Sequence, residues 1–345
     1  MGLLLQPNKL WRAEQPPRTH ALPFAGVSAV CSWEMTRGDA GLGELDLIQG
    51  FRRVFGSPRG RGIALGIGDD CAILRVPAGH EVLVTTDFTL EGRHFRRDLH
   101  PAASVGHRCL ARGLSDLAAM GAEPLAGFLS LALPASLPRM AAGRRWIAGL
   151  VRGMQGLAEA SGISIAGGDT AEAPGGEILA DIVLVGSAPT GTALRRSGAT
   201  AGDGLYVTGV LGGAAAQLRG MLASGRMARA GVRGPQLFPE PRLAVGRRLR
   251  GLASAAIDLS DGLSTDLGHL CEASGVRAEV DWDALPIHPL AMRFGEEARG
   301  LALHGGEDYE LLFAARAGVR VPRSIGGVPI TRIGRVLKAA GCAGP

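Results

Sequence analysis

Lysine is nearly missing from this chain of 345 residues: Lys9 and Lys338 are the two it has. That scarcity excludes a Walker A loop, because neither Lys9-Leu10 nor Lys338-Ala339 supplies the Gly-Lys-Ser/Thr it needs. A protein-kinase site falls as well, since the strand lysine, His-Arg-Asp and Asp-Phe-Gly are all missing. Cysteine is sparse: Cys31, Cys71, Cys109, Cys271 and Cys342 are scattered, odd in number and form no Cys-x-x-Cys. That usage argues against a disulfide framework or a structural zinc and for a reduced cytoplasm. Long apolar runs are missing too. The best candidate, Leu125 to Leu133, is bracketed by Pro124 and Pro134 and falls well short of the roughly 18 residues a membrane helix needs, so it reads as a buried strand and no membrane partner is expected. "MGLLLQ" is too short in apolar residues for a signal-peptide core, and Gln6 stands where a myristoylation motif needs a hydroxyl. There is no Gly-x-Ser-x-Gly elbow and no His-Glu-x-x-His, and "GIG", Gly66 to Gly68, lacks the third glycine of a dinucleotide loop.

What remains describes a globular chain, 46% hydrophobic and 20% charged, long enough for two domains. The net charge of +5 and the cluster "RRVFGSPRGRGIA" invite a nucleic-acid reading. Arginine is nevertheless spread along the whole chain, so a compositional bias explains the charge as a solvated face, and no nucleic-acid partner is expected.

Residues 1–34 carry Pro16, Pro17 and Pro23 without sustained periodicity and read as a mobile tail or an over-long start, with Met35 as the working initiator. Folded sequence then begins near "LGELDLIQGF". Strand-like and helical runs alternate from there. "EVLVTTD" is rich in β-branched residues; Ala102 to Met120 carries apolar residues at three-to-four spacing and stops at Gly121; Arg139 to Ala160 is a helix closed by Gly162. "ISIAGG" is a strand entering a glycine turn, and Glu177 to Ala188 a long strand, with Pro189 to Thr192 marking a boundary. Beyond it come the strand "GLYVTG", helices opening at Gly212 and Arg242, "AAIDLSDG", a helix to Ser274, and strands "YELLFAAR" and Val328 to Leu337. The expected organisation is α+β: an N-terminal domain over 35–188 and a C-terminal α+β domain over 189–345.

The acids that carry chemistry fall at element ends beside glycine or a hydroxyl: Asp69 and Asp70 in "GIGDDCAIL", between what read as two buried strands, then Asp87, Asp116, Asp169, Asp258, Asp261, Glu307 and Asp308. Taken singly each is an ordinary turn residue, and Asp169 and Ser260 read equally as helix N-caps. Asp116 differs, because it stands near the C-terminal end of its helix, where the dipole disfavours an anion unless a cation is near. Together, hard oxygen donors and glycine turns without Cys/His pairing fit magnesium with phosphate. Mg²⁺ takes one or two carboxylates per ion, so this many convergent acids imply several ions bridging a polyphosphate.

In this order "GIGDDCAIL", "TTDFTLEGRHF", "LSDLAAMGAEP", "IAGGDT", "RRSGATAGD", "AIDLSDGLSTDLGHL" and "GGEDYELLF" closely resemble thiamine-monophosphate kinases, from about Glu44 to Gly334. That family belongs with aminoimidazole ribonucleotide synthetase, selenophosphate synthetase and a hydrogenase maturation factor. The resemblance implies two related α+β domains with mixed and antiparallel sheets, and ATP- and Mg²⁺-dependent phosphorylation of thiamine monophosphate by direct in-line transfer. It implies a homodimer whose N-terminal, ATP- and metal-binding domains meet across a β-structured interface. By motif position Asp70, Thr85, Thr86, Asp87, Asp116, Asp169, Asp258 and Asp261 are expected as metal ligands. Gly168, Asp169, Arg196 and Ser260 are expected to contact ATP, and His94 and Glu307 the thiamine monophosphate, with no protein nucleophile.

Read without the family, Arg196 is a surface arginine beside Arg195, His94 a loop cap and Glu307 a polar turn. The tail has no counterpart in the family. The chain also stops at "KAAGCAGP", where members continue to an aromatic segment on the thiamine ring. Within the superfamily, Cys31 lacks the lysine of a selenophosphate synthetase and Cys342 the flanks of the hydrogenase factor. An aminoimidazole ribonucleotide synthetase is the remaining enzyme alternative, and a non-catalytic nucleotide- or nucleic-acid-binding protein the alternative of another class.

Overall fold

The computed structural model describes residues 44–55, 62–228 and 232–339. The expected tail over 1–34 and the residues 340–345 lie outside them. Helix α1 (Glu44–Phe55) is followed by β1 (Ile63–Leu65), β2 (Ile73–Leu74), β3 (His80–Leu90), α2 (Ala102–Ala119), β4 (Glu123–Leu133), α3 (Ser136–Arg139), α4 (Ala141–Ser161), β5 (Ser164–Glu172) and β6 (Leu179–Pro189). The second half holds β7 (Gly204–Thr208), α5 (Gly213–Ser224), α6 (Leu243–Leu249), β8 (Ala255–Asp258), α7 (Leu263–Ser274), β9 (Val276–Val280), α8 (Pro289–Met292), α9 (Ala298–His304), β10 (Leu311–Ala315), β11 (Ser324–Ile325) and β12 (Val328–Lys338).

The fold is α+β. One sheet has the order β3-β6-β4-β5. Its β4–β5 pair is parallel, because α4 carries the chain back across the sheet between them, and its other pairs are antiparallel. Gly162 ends α4 in the left-handed region, φ 72°, returning its N–H to the Ala158 and Glu159 carbonyls. The second sheet runs β11-β12-β7-β10-β8 with β9 added on β12, all antiparallel. Its strand β10, "LLFAA", lies between β7 and β8 and is buried at every position. Leu311, Phe313 and Ala315 face the core shared with the first half, while Leu312 and Ala314 face the core under α7 and α9, as a period of two requires.

Helix α2 lies at the seam, and thirteen of its eighteen residues are buried. It packs on α4 and the first sheet on one side and on α6 and β8 on the other. The contact with α6 is close: a Cβ at Gly246 would stand 1.9 Å from the Ala118 carbonyl oxygen, so glycine alone fits. Of the polar residues on α2, Arg112 and Asp116 line the cleft between the two halves.

Two local expectations change. The strands flanking "GIGDDCAIL" are short and mostly uncovered, with Ile73 53% exposed, because they pair with each other and not within either large sheet. β5 does not turn at its glycines but runs on to Glu172, paired in parallel with Leu129 to Leu133 of β4. Asp169 is consequently a strand residue and not a helix cap.

Candidate active site

Strand alternation sorts the first three candidates. Thr85 and Asp87 share one face of β3 with the buried Leu83 and Thr89. The Thr85 hydroxyl donates to Asp116 Oδ2, and Asp87 Oδ1 accepts from Arg112 Nε at 3.0 Å and Nη2 at 2.8 Å. Thr86, one residue out of step, faces the other side of the sheet and donates to Asp181 at 2.7 Å.

From α2, Arg108, Arg112 and Asp116 follow at four-residue spacing on one face, with Ser115 beside them. Ser115 Oγ donates to Asp258 Oδ2 at 2.7 Å. Asp258 ends β8, buried at 3% exposure, and its carboxyl is pushed up to about 7, chiefly by burial and next by the Asp116 charge. Burial also raises Asp116, and Asp87 adds to the rise while the Thr85 hydroxyl and Arg196 oppose it. The exposed Arg196 thus acts electrostatically on both carboxylates. Beyond β8, Asp261 is exposed and Ser260 half-buried, and the Asp261 and Gly262 N–H groups both donate to Asp266 Oδ2 at 3.1 Å.

The motif "GGEDYEL" gives three acids three different tasks. Its backbone is docked by Glu307 N–H on Ser260 O at 2.8 Å and Tyr309 N–H on Leu259 O at 2.9 Å. Glu307 and Tyr309 both hold positive φ, 68° and 51°, a cost non-glycine residues bear chiefly at functional positions. Glu307 turns into the cleft, where Oε1 accepts from Arg108 Nη2 at 2.6 Å and Oε2 from Gln236 Nε2 at 2.9 Å. Burial alone would raise its carboxyl, but Arg108, Gln236 and Arg112 more than offset this and hold it below the usual range. Asp308 turns away and accepts from the Gly212 and Ala214 N–H groups at 2.5 and 3.0 Å, at the start of α5. Glu310 is buried against Arg242, at 2.6 and 2.7 Å, and the Thr208 hydroxyl.

His94 is a loop cap that also lines the cleft. Its Nδ1 accepts from the Leu90 N–H at 2.9 Å, which holds the loop, and its ring lines the cleft. Burial, and next Arg112, lower its pKa and so favour the neutral imidazole, whose Nδ1 accepts while Nε2 carries the proton.

Asp87, His94, Asp116, Asp258, Ser260, Asp261 and Glu307 thus line one cleft of about 610 Å³. Asp70, Gly168 and Asp169 line a second, of about 640 Å³, whose walls include Ile48, Phe51, Phe128 and Ile165. There the chain passes so near β4 that a Cβ at Gly168 would stand 1.9 Å from the Leu129 carbonyl oxygen. The expected acids are accordingly divided between two cavities, with the Thr86 hydroxyl outside both. Among the described residues no group of three or more His, Cys, Asp and Glu side chains is already arranged to hold a metal ion. The carboxylates of the first cleft are nevertheless hard oxygen donors, and the repulsion by which Asp87 raises Asp116 and Asp116 raises Asp258 is what a divalent cation would relieve. Sequence reasoning missed Arg108, Arg112, Tyr309 and Gln236. The spacing of the two arginines from Asp116 in "RCLARGLSD" was a usable signal; Gln236 offers none.

The family model for AIR synthase related protein, N-terminal domain, matches residues 68–188, and that for the C-terminal domain residues 200–340. The chain is 41% identical over 285 residues to thiamine-monophosphate kinase of Salmonella typhimurium, covering 79% of this chain and 84% of the relative. Among solved structures it resembles thiamine-monophosphate kinase from Stenotrophomonas maltophilia, with TM-score 0.72 and 36% identity over 88% of this chain and 95% of that one. It also resembles AaThiL complexed with AMPPCP and TMP, with TM-score 0.68 and 29% identity over 87% of this chain and 92% of that one.

Proposed function

The chain belongs to the thiamine-monophosphate kinase family of AIR synthase related proteins, and from that membership we propose that it transfers the γ-phosphoryl group of ATP to thiamine monophosphate, giving thiamine diphosphate and ADP. The observation that carries the reading is the charge arrangement of the cleft between the halves. In it Arg112 grips Asp87 beside Asp116 and Asp258, while Arg108 and Gln236 hold Glu307, which lines the same cleft as His94. A phosphate monoester, its second pKa near ~6, arrives largely as a dianion and needs no base to become a nucleophile. The protein's task is then to position two anionic groups in line and to neutralise their charge.

Thr85, Asp87, Asp116 and Asp258, with Asp261, are the residues that would hold Mg²⁺, which when bound supplies the neutralising charge that a P-loop lysine supplies elsewhere. On this reading Glu307, held by Arg108 and Gln236, and His94 contact the thiamine monophosphate. The second cleft offers Gly168 and Asp169 beside apolar walls, a combination suited to nucleotide, with Asp70 as a metal ligand there; Ser260, on the first cleft, and the exposed Arg196 are the further ATP contacts. Residues 35–188 and 189–345 are proposed as the two domains; described residues of both line the first cleft, and those of the first alone line the second. A homodimer is part of the proposal. β3 is an edge strand whose outer face exposes Val82, Val84 and Phe88 at 52%, 63% and 60%, an apolar row suited to cover by a second copy.

The test is an assay with thiamine monophosphate, ATP and Mg²⁺. ADP and thiamine diphosphate in equal amounts without free phosphate support the kinase. Phosphate release as an open-chain ribonucleotide substrate is cyclised would favour the synthetase alternative, and salt-sensitive DNA binding without turnover the non-catalytic one. Among the described residues no helix is long and apolar enough to cross a membrane.

A further inference from the structure

Arg112 is bound from both sides of the cleft. It grips Asp87 of the first half through a single carboxylate oxygen, Oδ1, at 2.8 and 3.0 Å. Through Nη1 it reaches Glu307 Oε1 at 3.4 Å and the Tyr309 hydroxyl at 3.2 Å, in the second half. The contact with Glu307 is the long one, and Glu307 is already held by Arg108 at 2.6 Å and Gln236 at 2.9 Å. Losing Arg112 would therefore cost Glu307 little, but would leave Asp87 without its counter-charge beside Asp116.

The partner that competes for such a guanidinium is a phosphate group. A planar fork pairs better with two oxygens of a dianion than with one oxygen of a carboxylate. Arg112 lines the cleft together with His94 and Glu307, so an acceptor phosphate held there is within its reach. An Asp87 released by that exchange presents a negative charge next to Asp116 and Thr85, which favours a divalent cation.

Resting on the kinase reading above, we propose that Arg112 is an exchange residue. It leaves Asp87 for the phosphate of the incoming monophosphate substrate, and thereby frees the Asp87 carboxylate to take the divalent cation. Acceptor and cation then bind with positive coupling, each strengthening the other by the same factor. The anionic end of the cleft is completed when the acceptor is present, which disfavours transfer to water in its absence. Arg112 is thus a positioning residue, acting on the cation site through Asp87.

The experiment is Mn²⁺ binding followed by electron paramagnetic resonance, without ATP, on the full chain and on Arg112→Gln and Arg112→Lys. Each is titrated alone, with thiamine and with thiamine monophosphate, after subtracting Mn²⁺ bound by free monophosphate. For the unaltered protein, thiamine monophosphate should tighten Mn²⁺ binding on the order of ten-fold, and thiamine should not. Arg112→Gln should bind Mn²⁺ more tightly than the unaltered protein when no acceptor is present and should show no coupling. Arg112→Lys, which keeps the charge and the fold but not the fork, should retain a fraction of the coupling. Full coupling in Arg112→Gln or in Arg112→Lys, or equal coupling with thiamine, overturns the proposal while leaving the kinase reading standing. Failure of the unaltered protein to bind thiamine monophosphate at all overturns both.

Discussion

Ser115 Oγ donates to Asp258 Oδ2 at 2.7 Å, joining helix α2 of the first half to strand β8 of the second through two buried groups. A carboxylate this deep depends on each donor it has, because water does not replace a lost one. Ser115→Ala should destabilise the metal-free protein at pH 8 by about 1–3 kcal/mol in urea unfolding. It should also lower kcat by roughly ten- to a hundred-fold, as Asp258 loses its fixed orientation. A variant with unchanged stability and kcat would show that the bond holds nothing in place.

Three aspartates in one cleft suggest, from sequence, that neutralising any of them relieves repulsion. The structure separates them. Burial and like charge raise the carboxyls of Asp116 and Asp258, whereas Asp87 is paired with Arg112. Asp116→Asn and Asp258→Asn should therefore stabilise the protein in EDTA by about 1 kcal/mol or leave it unchanged. Asp87→Asn should destabilise it by about as much, since a half-buried guanidinium loses its counter-charge. All three should lose phosphoryl transfer by at least about a hundred-fold. Equal shifts of the melting temperature in the three variants would contradict the distinction.

Much of this was legible in the chain. The three-to-four spacing of α2, the β-branched run of β3 and the αL glycine after α4 are local signals, and each produced its element close to where the sequence places it. What could not be read depends on contacts between distant residues. Nothing in "GGEDYEL" says that Glu307 enters the cleft while Asp308 caps α5 and Glu310 meets Arg242. That division follows from the positive φ at Glu307 and Tyr309 and from partners about seventy to two hundred residues away. Thr86 was placed with Thr85 by motif, yet the period of two sets their hydroxyls on opposite faces. The tracts missed altogether, β9 and α9 among them, are short and owe their form to packing on β12 and α7.

His100 provides a pH signature of the same wall. It is 2% exposed, and its Nδ1 accepts from the Arg96 N–H at 3.1 Å. Burial first and Arg108 second lower its pKa to about 4. Between about pH 4 and 6.5 the unfolded chain binds this proton and the folded chain does not, so stability rises with pH over that window. At roughly 1.4 kcal/mol per unit, His100 contributes up to about 3 kcal/mol of that rise. His100→Asn keeps an acceptor for Arg96 but does not titrate. Subtracting its unfolding free energies at pH 4.5, 5.5 and 6.5 from those of the unaltered protein should leave a slope of this sign, and a flat difference would refute the assignment.

The outer face of β3 sets the last expectation. Val82, Val84 and Phe88 alternate with the inward Leu83, Thr85 and Asp87, so their exposure follows from strand geometry and not from disorder. β3 is an edge strand, and an uncovered apolar edge invites pairing. A second copy seated there would cover this row and the Thr86–Asp181 bond beside Phe88, and it would lie on the same strand that carries Asp87 into the cleft. Val84→Glu places a charge in the middle of the row without touching either core, so the fold should persist and the far-ultraviolet dichroism should not change. Light scattering should then report a dimer for the unaltered chain and a monomer for Val84→Glu at micromolar concentration. Activity should fall together with the dimer fraction on dilution, because β3 loses the support that steadies Thr85 and Asp87. A Val84→Glu protein that scatters as a dimer would move the interface off this strand.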